Sequence, residues 1–448
     1  MNFKLAVSFI GLVLALATPR SALAQLEKSL SITSQYDDNA FGNFQKLSDY
    51  VTQLSLNLSG DYDKDYSVWT VSYVGNLNLF NKHAFRNYHA HTLGVSYAMQ
   101  LNPEEETEDS TGTDVSDSVS VSQDSVVEVT KDSSKNFLFA GASLAGRFNR
   151  DSVNYYNDAY ASGYVRLRWM LTESLVGRLT YTVGYRNYFN LTDLSNLENA
   201  LSVHVMENVG GTKLIAEAGY GYKKYFSTTT DTTELLKLGV TPGGGGPGKG
   251  KGKGKGSGGG SGDHRSEEVE RGVVITRLST PGTSQITLGV GLVRSISKET
   301  EIGVKYLRRM SPSLNARYIS GQFRGYGSND DIYDDSYSYQ SHEFSGFFKQ
   351  SFPWAMTVGI QIGYMPKRYG RSAYSLPDSL GRSAELSSSR KDQKFELNVE
   401  LEKVFKFTNG FAKTLALQVG YYFLNNRSND DFYRFTNNMI SVGISTDF

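Results

Sequence analysis

Seven charged residues stand at even spacing in segments that otherwise alternate apolar and polar: Arg166, Arg168, Arg178, Arg186, Glu396, Glu400 and Glu402. Side chains alternate across a strand with a period of two. Val165, Leu167, Trp169 and Leu171 take one face of their segment, which sends Arg166 and Arg168 to the other. Leu179, Tyr181, Val183 and Tyr185 do the same for Arg178 and Arg186, and Phe395, Leu397, Val399 and Leu401 for the three glutamates. If the charged faces enclose water, opposed rows of fixed charge impose a transverse field and select ions by sign. Otherwise they solvate the interior or pair with an inserted loop.

Other chemistry has little support. Cysteine is absent, which removes disulfides and thiolate metal sites. His89 and His91 share a strand face, but beyond His83 no third ligand stands near them, so neither a metal centre nor a cofactor is expected. Asp37, Asp38, Asp430 and Asp431 are weak cation candidates. Ca²⁺ takes about six to eight oxygen ligands, yet none of these stretches has EF-hand spacing, and aspartate in loops is ordinary turn chemistry. No Ser, His and acid grouping stands out, and the Gly-x-Gly at 289–291 lies inside a strand pattern rather than opening a helix. The chain does not read as an enzyme.

The elements that must hold the charged rows are strands. Leu54, Leu56 and Leu58 alternate with polar neighbours, as do Ile286, Leu288, Val290 and Leu292, then Val358, Ile360 and Ile362, then Leu415, Leu417, Val419 and Tyr421. Helical spacing fits none of these runs. Strands are expected near 26–36, 49–62, 66–80, 87–101, 136–149, 156–172, 175–189, 198–208, 212–226, 282–296, 300–310, 337–351, 355–370, 391–406, 412–427 and 435–448. The fold class is all-β: a closed antiparallel transmembrane β-barrel of about sixteen strands, with fourteen to eighteen open. Val269 to Leu278 also has strand character and would spoil the even count, so it is assigned to an external hairpin extension. Taking the glutamate strand as the fifteenth sets it eight from the seventh, diametrically opposite Arg178. Aromatic residues near strand ends, among them Tyr62, Tyr73, Phe80, Trp169, Tyr185, Trp354, Tyr364 and Phe448, suit interfacial girdles.

Residues 1–24 read as a secretory signal peptide, with Lys4, an apolar run too short to span a membrane, and Ala22-Leu23-Ala24 before the cut. The remainder, 25–448, is read as one barrel. It carries an acidic, Ser-rich insertion at 102–135 and an external loop at 227–281 that includes a disordered Gly/Lys segment at 243–262. Removing Lys4 and Arg20 lowers Lys+Arg from 46 to 44 against 46 Asp+Glu, a formal charge of −2 that argues against a nucleic-acid partner.

The last strand sends Ile440, Val442, Ile444 and Phe448 to one face and stops on Phe448. With the leader and the alternation, this ending resembles bacterial outer-membrane β-barrels, whose C-terminal strand is the signal read by the barrel assembly machinery. Tyr36-Asp37-Asp38-Asn39-Ala40-Phe41 loosely resembles the opening of porin-like barrels that accompany polysaccharide export systems. The resemblance implies an integral outer-membrane location with both termini periplasmic, and outer-membrane lipid and lipopolysaccharide as partners. The expected function is a passive pore for small hydrophilic solutes. The alternative is a non-enzymatic surface protein that binds polysaccharide or supports its export, and a rim hydrolase is a distant third.

Overall fold

The computed structural model describes residues 25–40, 42, 46–64, 66–101, 136–150, 154, 157–226, 282–312, 335–374, 385–408 and 412–448, with backbone segments at 121–122, 125–126, 233–237, 272–276 and 318–320. Residues 1–24, read above as a leader, the Gly/Lys segment at 243–262 and most of the stretch read as an acidic insertion lie outside the described residues.

Sixteen strands close into one antiparallel barrel: β1 (Gln25–Asp37), β2 (Asp49–Lys64), β3 (Ser67–Phe80), β4 (Tyr88–Gln100), β5 (Phe137–Asn149), β6 (Asp158–Met170), β7 (Leu175–Tyr188), β8 (Asn196–Val209), β9 (Thr212–Tyr225), β10 (Gly282–Ser295), β11 (Thr300–Met310), β12 (Tyr339–Phe352), β13 (Met356–Tyr374), β14 (Glu385–Lys406), β15 (Thr414–Ser428) and β16 (Phe435–Asp447). Each pairs with its neighbour in sequence, and β1 closes the ring on β16, with Ser29 opposite Asp447 and Asp37 opposite Met439. Closure leaves no free edge, so the wall satisfies its own backbone hydrogen bonds. Gly272–Thr276 stands outside the ring and pairs with Thr233–Lys237 and Tyr318–Ser320 in a separate three-stranded sheet. The even count therefore holds.

The outer face is apolar and exposed. Ile440, Val442 and Ile444 of β16 are each half exposed, as are Val71, Leu144, Val165, Val290 and Val304 around the ring. This is the wall that a hydrocarbon solvent requires. No described helix is long and apolar enough to cross a membrane.

Two rims differ. Apart from the long β4–β5 connection that holds the acidic segment, the terminal rim, where β1 begins and β16 ends, carries tight turns such as Gly210-Gly211 and Pro353 to Ala355. Trp354 and Ala355 hold positive φ there (67° and 54°), and Trp354 is 81% exposed. The opposite, distal rim carries longer connections, and among the described residues short 3₁₀ turns stand just before the descending strand at 84–86, 192–194, 336–338 and 431–433. Inward-facing side chains near this rim are packed. Phe80 is one of them: it clusters with Val51 and Tyr88, all buried, rather than joining an outer girdle. By parity Phe80 shares a face with Asn78, opposite the exposed Leu77 and Leu79.

Candidate functional site: the inner wall of the barrel

Arg166 and Arg168 on β6 and Arg178 on β7 sit on the inner face. Register places Arg168 directly opposite Arg178 and Arg166 opposite Thr180, whose Oγ1 accepts from Arg166 Nε at 3.2 Å. Like charges directly opposed across a sheet destabilise it unless they are screened. The row continues sideways, with Arg178 opposite His204 of β8 and His204 opposite Glu217 of β9. Glu217 is shared: Lys305 Nζ of β11 lies 2.8 Å from it and His204 Nδ1 3.5 Å. Arg186 belongs elsewhere. It lies near the distal rim, 7% exposed, 3.8 Å from Asp158 and stacked over Tyr160 at 4.6 Å, so it presents little charge to water.

The glutamates occupy β14, the fourteenth strand rather than the fifteenth. β14 is eight strands from β6 and seven from β7, so the diametric partners of the glutamates are Arg166 and Arg168, not Arg178. The expected segments already rank 391–406 fourteenth, so the fifteenth place was a miscount; face and parity are unaffected. The three carboxylates also differ in environment. Glu396 is compensated, with Lys394 Nζ at 2.6 Å and the Tyr422 hydroxyl donating at 2.8 Å. Glu402 accepts from Gln418 Nε2 at 2.9 Å. Glu400 stands between Gly359 and Gly420, which leave it no flanking side chain, and it is exposed. Lys305, Ser345, Lys349 and Gln361 are exposed on the inner face of neighbouring strands as well. Water therefore reaches the inside of the wall at this level.

Toward the distal rim a short piece of the β11–β12 connection folds against the inner wall. Asp335 Oδ2 receives Lys223 Nζ at 2.7 Å and the Tyr225 hydroxyl at 3.2 Å, all three groups being buried. Two residues on, the Tyr337 hydroxyl donates to Glu198 Oε1 at 2.8 Å. Burial, with the Glu198 carboxylate beside it, pushes the Tyr337 phenol well above its ordinary value and keeps it a donor. Gln285 Nε2 donates to the Ser336 carbonyl, and Arg309 Nη1 donates to Gln285 Oε1 at 2.6 Å. Basic side chains stack on inward aromatic rings along the same level: Lys367 on Tyr339 at 4.3 Å, and Arg390 between Tyr369 at 3.9 Å and Tyr433 at 3.4 Å. Parity places Glu198, Lys223 and Tyr225 on the inner face, but nothing in the local pattern of a loop announces that Asp335 and Tyr337 return to meet them.

Two of the four aspartate candidates at the closure seam, Asp37 and Asp38, are engaged in local hydrogen bonds to backbone nitrogens. Asp38 accepts from the Asn438 backbone and side-chain nitrogens, both at 2.7 Å, and Asp37 accepts from the Asn39 nitrogen at 2.8 Å. Asp430 is buried, and Asp431 lies 3.4 Å from Arg434. Among the described residues no three His, Asp or Glu side chains gather as a metal would require. His89 and His91 lie on the outer face, on the parity of Leu77 and Val95.

No family model matches the chain, and no curated protein matches it in sequence. Solved structures that resemble it include the outer membrane protein opdK from Pseudomonas aeruginosa, at 10% identity and a TM-score of 0.43, covering 96% of this chain and 100% of that one. Pseudomonas aeruginosa OccK8 (OprE) follows at 11% and 0.42, covering 95% and 99%. Acinetobacter baumannii OccAB4 stands at 12% and 0.42, covering 96% and 100%. At these identities and TM-scores the likeness assigns neither a family nor a permeant, and the closed sixteen-strand barrel stands on its own pairing.

Proposed function

We propose that this protein is a passive outer-membrane pore for small hydrophilic solutes. The single observation that carries the reading is the pairing of an apolar, exposed outer wall with an inner wall on which Glu400, Lys305 and Lys349 are also exposed. A barrel of about sixteen strands is wide enough to leave an aqueous channel. The terminal rim is then periplasmic and the distal rim external, and outer-leaflet lipid and lipopolysaccharide are the surroundings. Ile440, Val442, Ile444 and Phe448 then serve as the strand read by the assembly machinery. Arg166, Arg168 and Arg178 on one side and Glu400 with Glu402 on the other supply the field that sorts permeants by charge. Planar-bilayer recording of the refolded protein tests this: stepwise channel current is expected, and its absence at either polarity overturns the pore.

A second reading draws on the packed distal rim. Asp335 to Ser338 and the stacked basic and aromatic side chains fill much of the inner wall there, as suits a surface protein that binds or helps export polysaccharide. The same recording separates the two readings, because a filled lumen carries no steady current.

A further inference from the structure

Ionisable groups on the lipid-facing side of a barrel are costly at mid-membrane and tolerated at the interface. On β3 and β4 three polar rings nevertheless form a chain on that side. Tyr73 lies across Gly75, where a Cβ would come within 2.7 Å of its hydroxyl, and so reaches His91 Nδ1 at 2.8 Å. His91 Nε2 meets His89 Nδ1 at 2.9 Å. Register sets Gly75 opposite His91 and Leu77 opposite His89, so the chain climbs the outer wall toward the distal rim. His89 stacks on Phe148 of β5 at 5.3 Å, and Phe148 stacks on Phe189 at 6.4 Å. Two positions above Phe148, and on its parity, Arg150 is exposed, with Nη1 donating to the Ala84 carbonyl at 3.1 Å.

We propose that this surface is a docking site for the phosphorylated headgroup of an outer-leaflet lipid. With the Tyr73 hydroxyl donating to His91 Nδ1, His91 Nε2–H donates to His89, and His89 Nε2–H remains as a donor at the top of the chain. The Arg150 guanidinium stands above it at the rim, on the long stem that lets a cation reach headgroup level. Phe148 and Phe189 supply the apolar floor on which acyl chains lie. A phosphate monoester complements this set: it is anionic, accepts several hydrogen bonds, and in a lipid is tethered to chains that need the apolar wall. The inference rests on the outer-membrane reading but not on conductance.

The test is native mass spectrometry of the full detergent-solubilised barrel titrated with diphosphoryl lipid A, dephosphorylated lipid A and inorganic phosphate. Diphosphoryl lipid A is expected to be retained about tenfold more tightly than the dephosphorylated form. The same loss is expected for the His89→Gln/His91→Gln double variant and for Arg150→Gln, whose exposed site leaves the barrel intact. Equal retention of the two lipids, or wild-type retention by both variants, overturns the proposal. Displacement by equimolar inorganic phosphate overturns the lipid as the source of the anion. Channel current is recorded on the same preparation. Lost lipid binding with current intact overturns this site alone, and lipid binding without current supports the site while sinking the pore.

Discussion

Lys223 on β9 and Asp335 in the β11–β12 connection meet at 2.7 Å, both buried, across 112 residues of chain. This contact fastens a loop to the inner wall, and removing one partner strands a charge without water. Lys223→Met or Asp335→Leu alone should cost roughly 3–5 kcal/mol at the contact, whereas the double variant should recover most of it. Because only a local strap is held, the loss should appear as faster proteolysis of the 311–338 connection and altered current noise rather than as a failed barrel. Limited proteolysis of the three variants checks it, and no recovery in the double variant would show that the pair is not coupled.

The three glutamates of β14 should contribute unequally to ion selectivity. Glu400 is exposed and unflanked, while Glu396 is already compensated by Lys394 at 2.6 Å. Glu400→Gln alone is expected to move the reversal potential in a salt gradient toward anions, and the paired removal Lys394→Met/Glu396→Gln, which deletes an already compensated pair, to move it least. Equal shifts from the two would mean that the Lys394 contact does not neutralise Glu396. No shift even in a triple Glu396, Glu400 and Glu402 to Lys variant would remove this wall from the constriction.

Phe347 of β12 lies on the inner face against Gly303 of β11, where an added Cβ would sit 2.2 Å from the ring. Gly303→Val must push Phe347 off the wall toward the lumen. A stability loss of about 1–3 kcal/mol is expected from the overpacking, together with lowered single-channel conductance. A Gly303→Val/Phe347→Ala pair should restore conductance, so an unrestored current would place the obstruction elsewhere.

The β12–β13 turn holds Trp354 and Ala355 at φ 67° and 54°, where non-glycine residues pay about 1 kcal/mol or more each. Ala355→Gly should raise the urea midpoint of the vesicle-embedded barrel slightly, by the strain relieved less the added chain entropy. A lowered midpoint would show that the methyl group packs usefully.

Glu217 is held by Lys305 at 2.8 Å in the same row as Arg178 and His204. Glu217→Gln frees the ammonium and should strengthen anion preference, opposite in sign to Arg178→Gln. Reversal potentials of the two variants check the sign, and parallel shifts would refute the row as one electrostatic unit.

The sequence alone determined the strands, their faces and the even count. Leu179, Tyr181, Val183 and Tyr185 mark the outer face of β7 as plainly in the one-letter code as in space, because strand parity is a local property. It placed Arg166, Arg168 and Arg178 on the inner face for the same reason. Only the tertiary structure decided who meets whom. Strand rank could be counted from the alternation, which already makes 391–406 the fourteenth strand, but only closure of the ring turns that rank into an opposition of Glu400 to Arg166 and Arg168 rather than to Arg178. It also brought Asp335 to Lys223 and took Arg186 out of the water-facing row, because burial and ion pairing follow from loops folding back on the wall, and a loop carries no period to read. His89 and His91 show both halves: their shared face was legible, but that this face looks outward followed from the exposed Leu77 and Val95 that flank it in the ring.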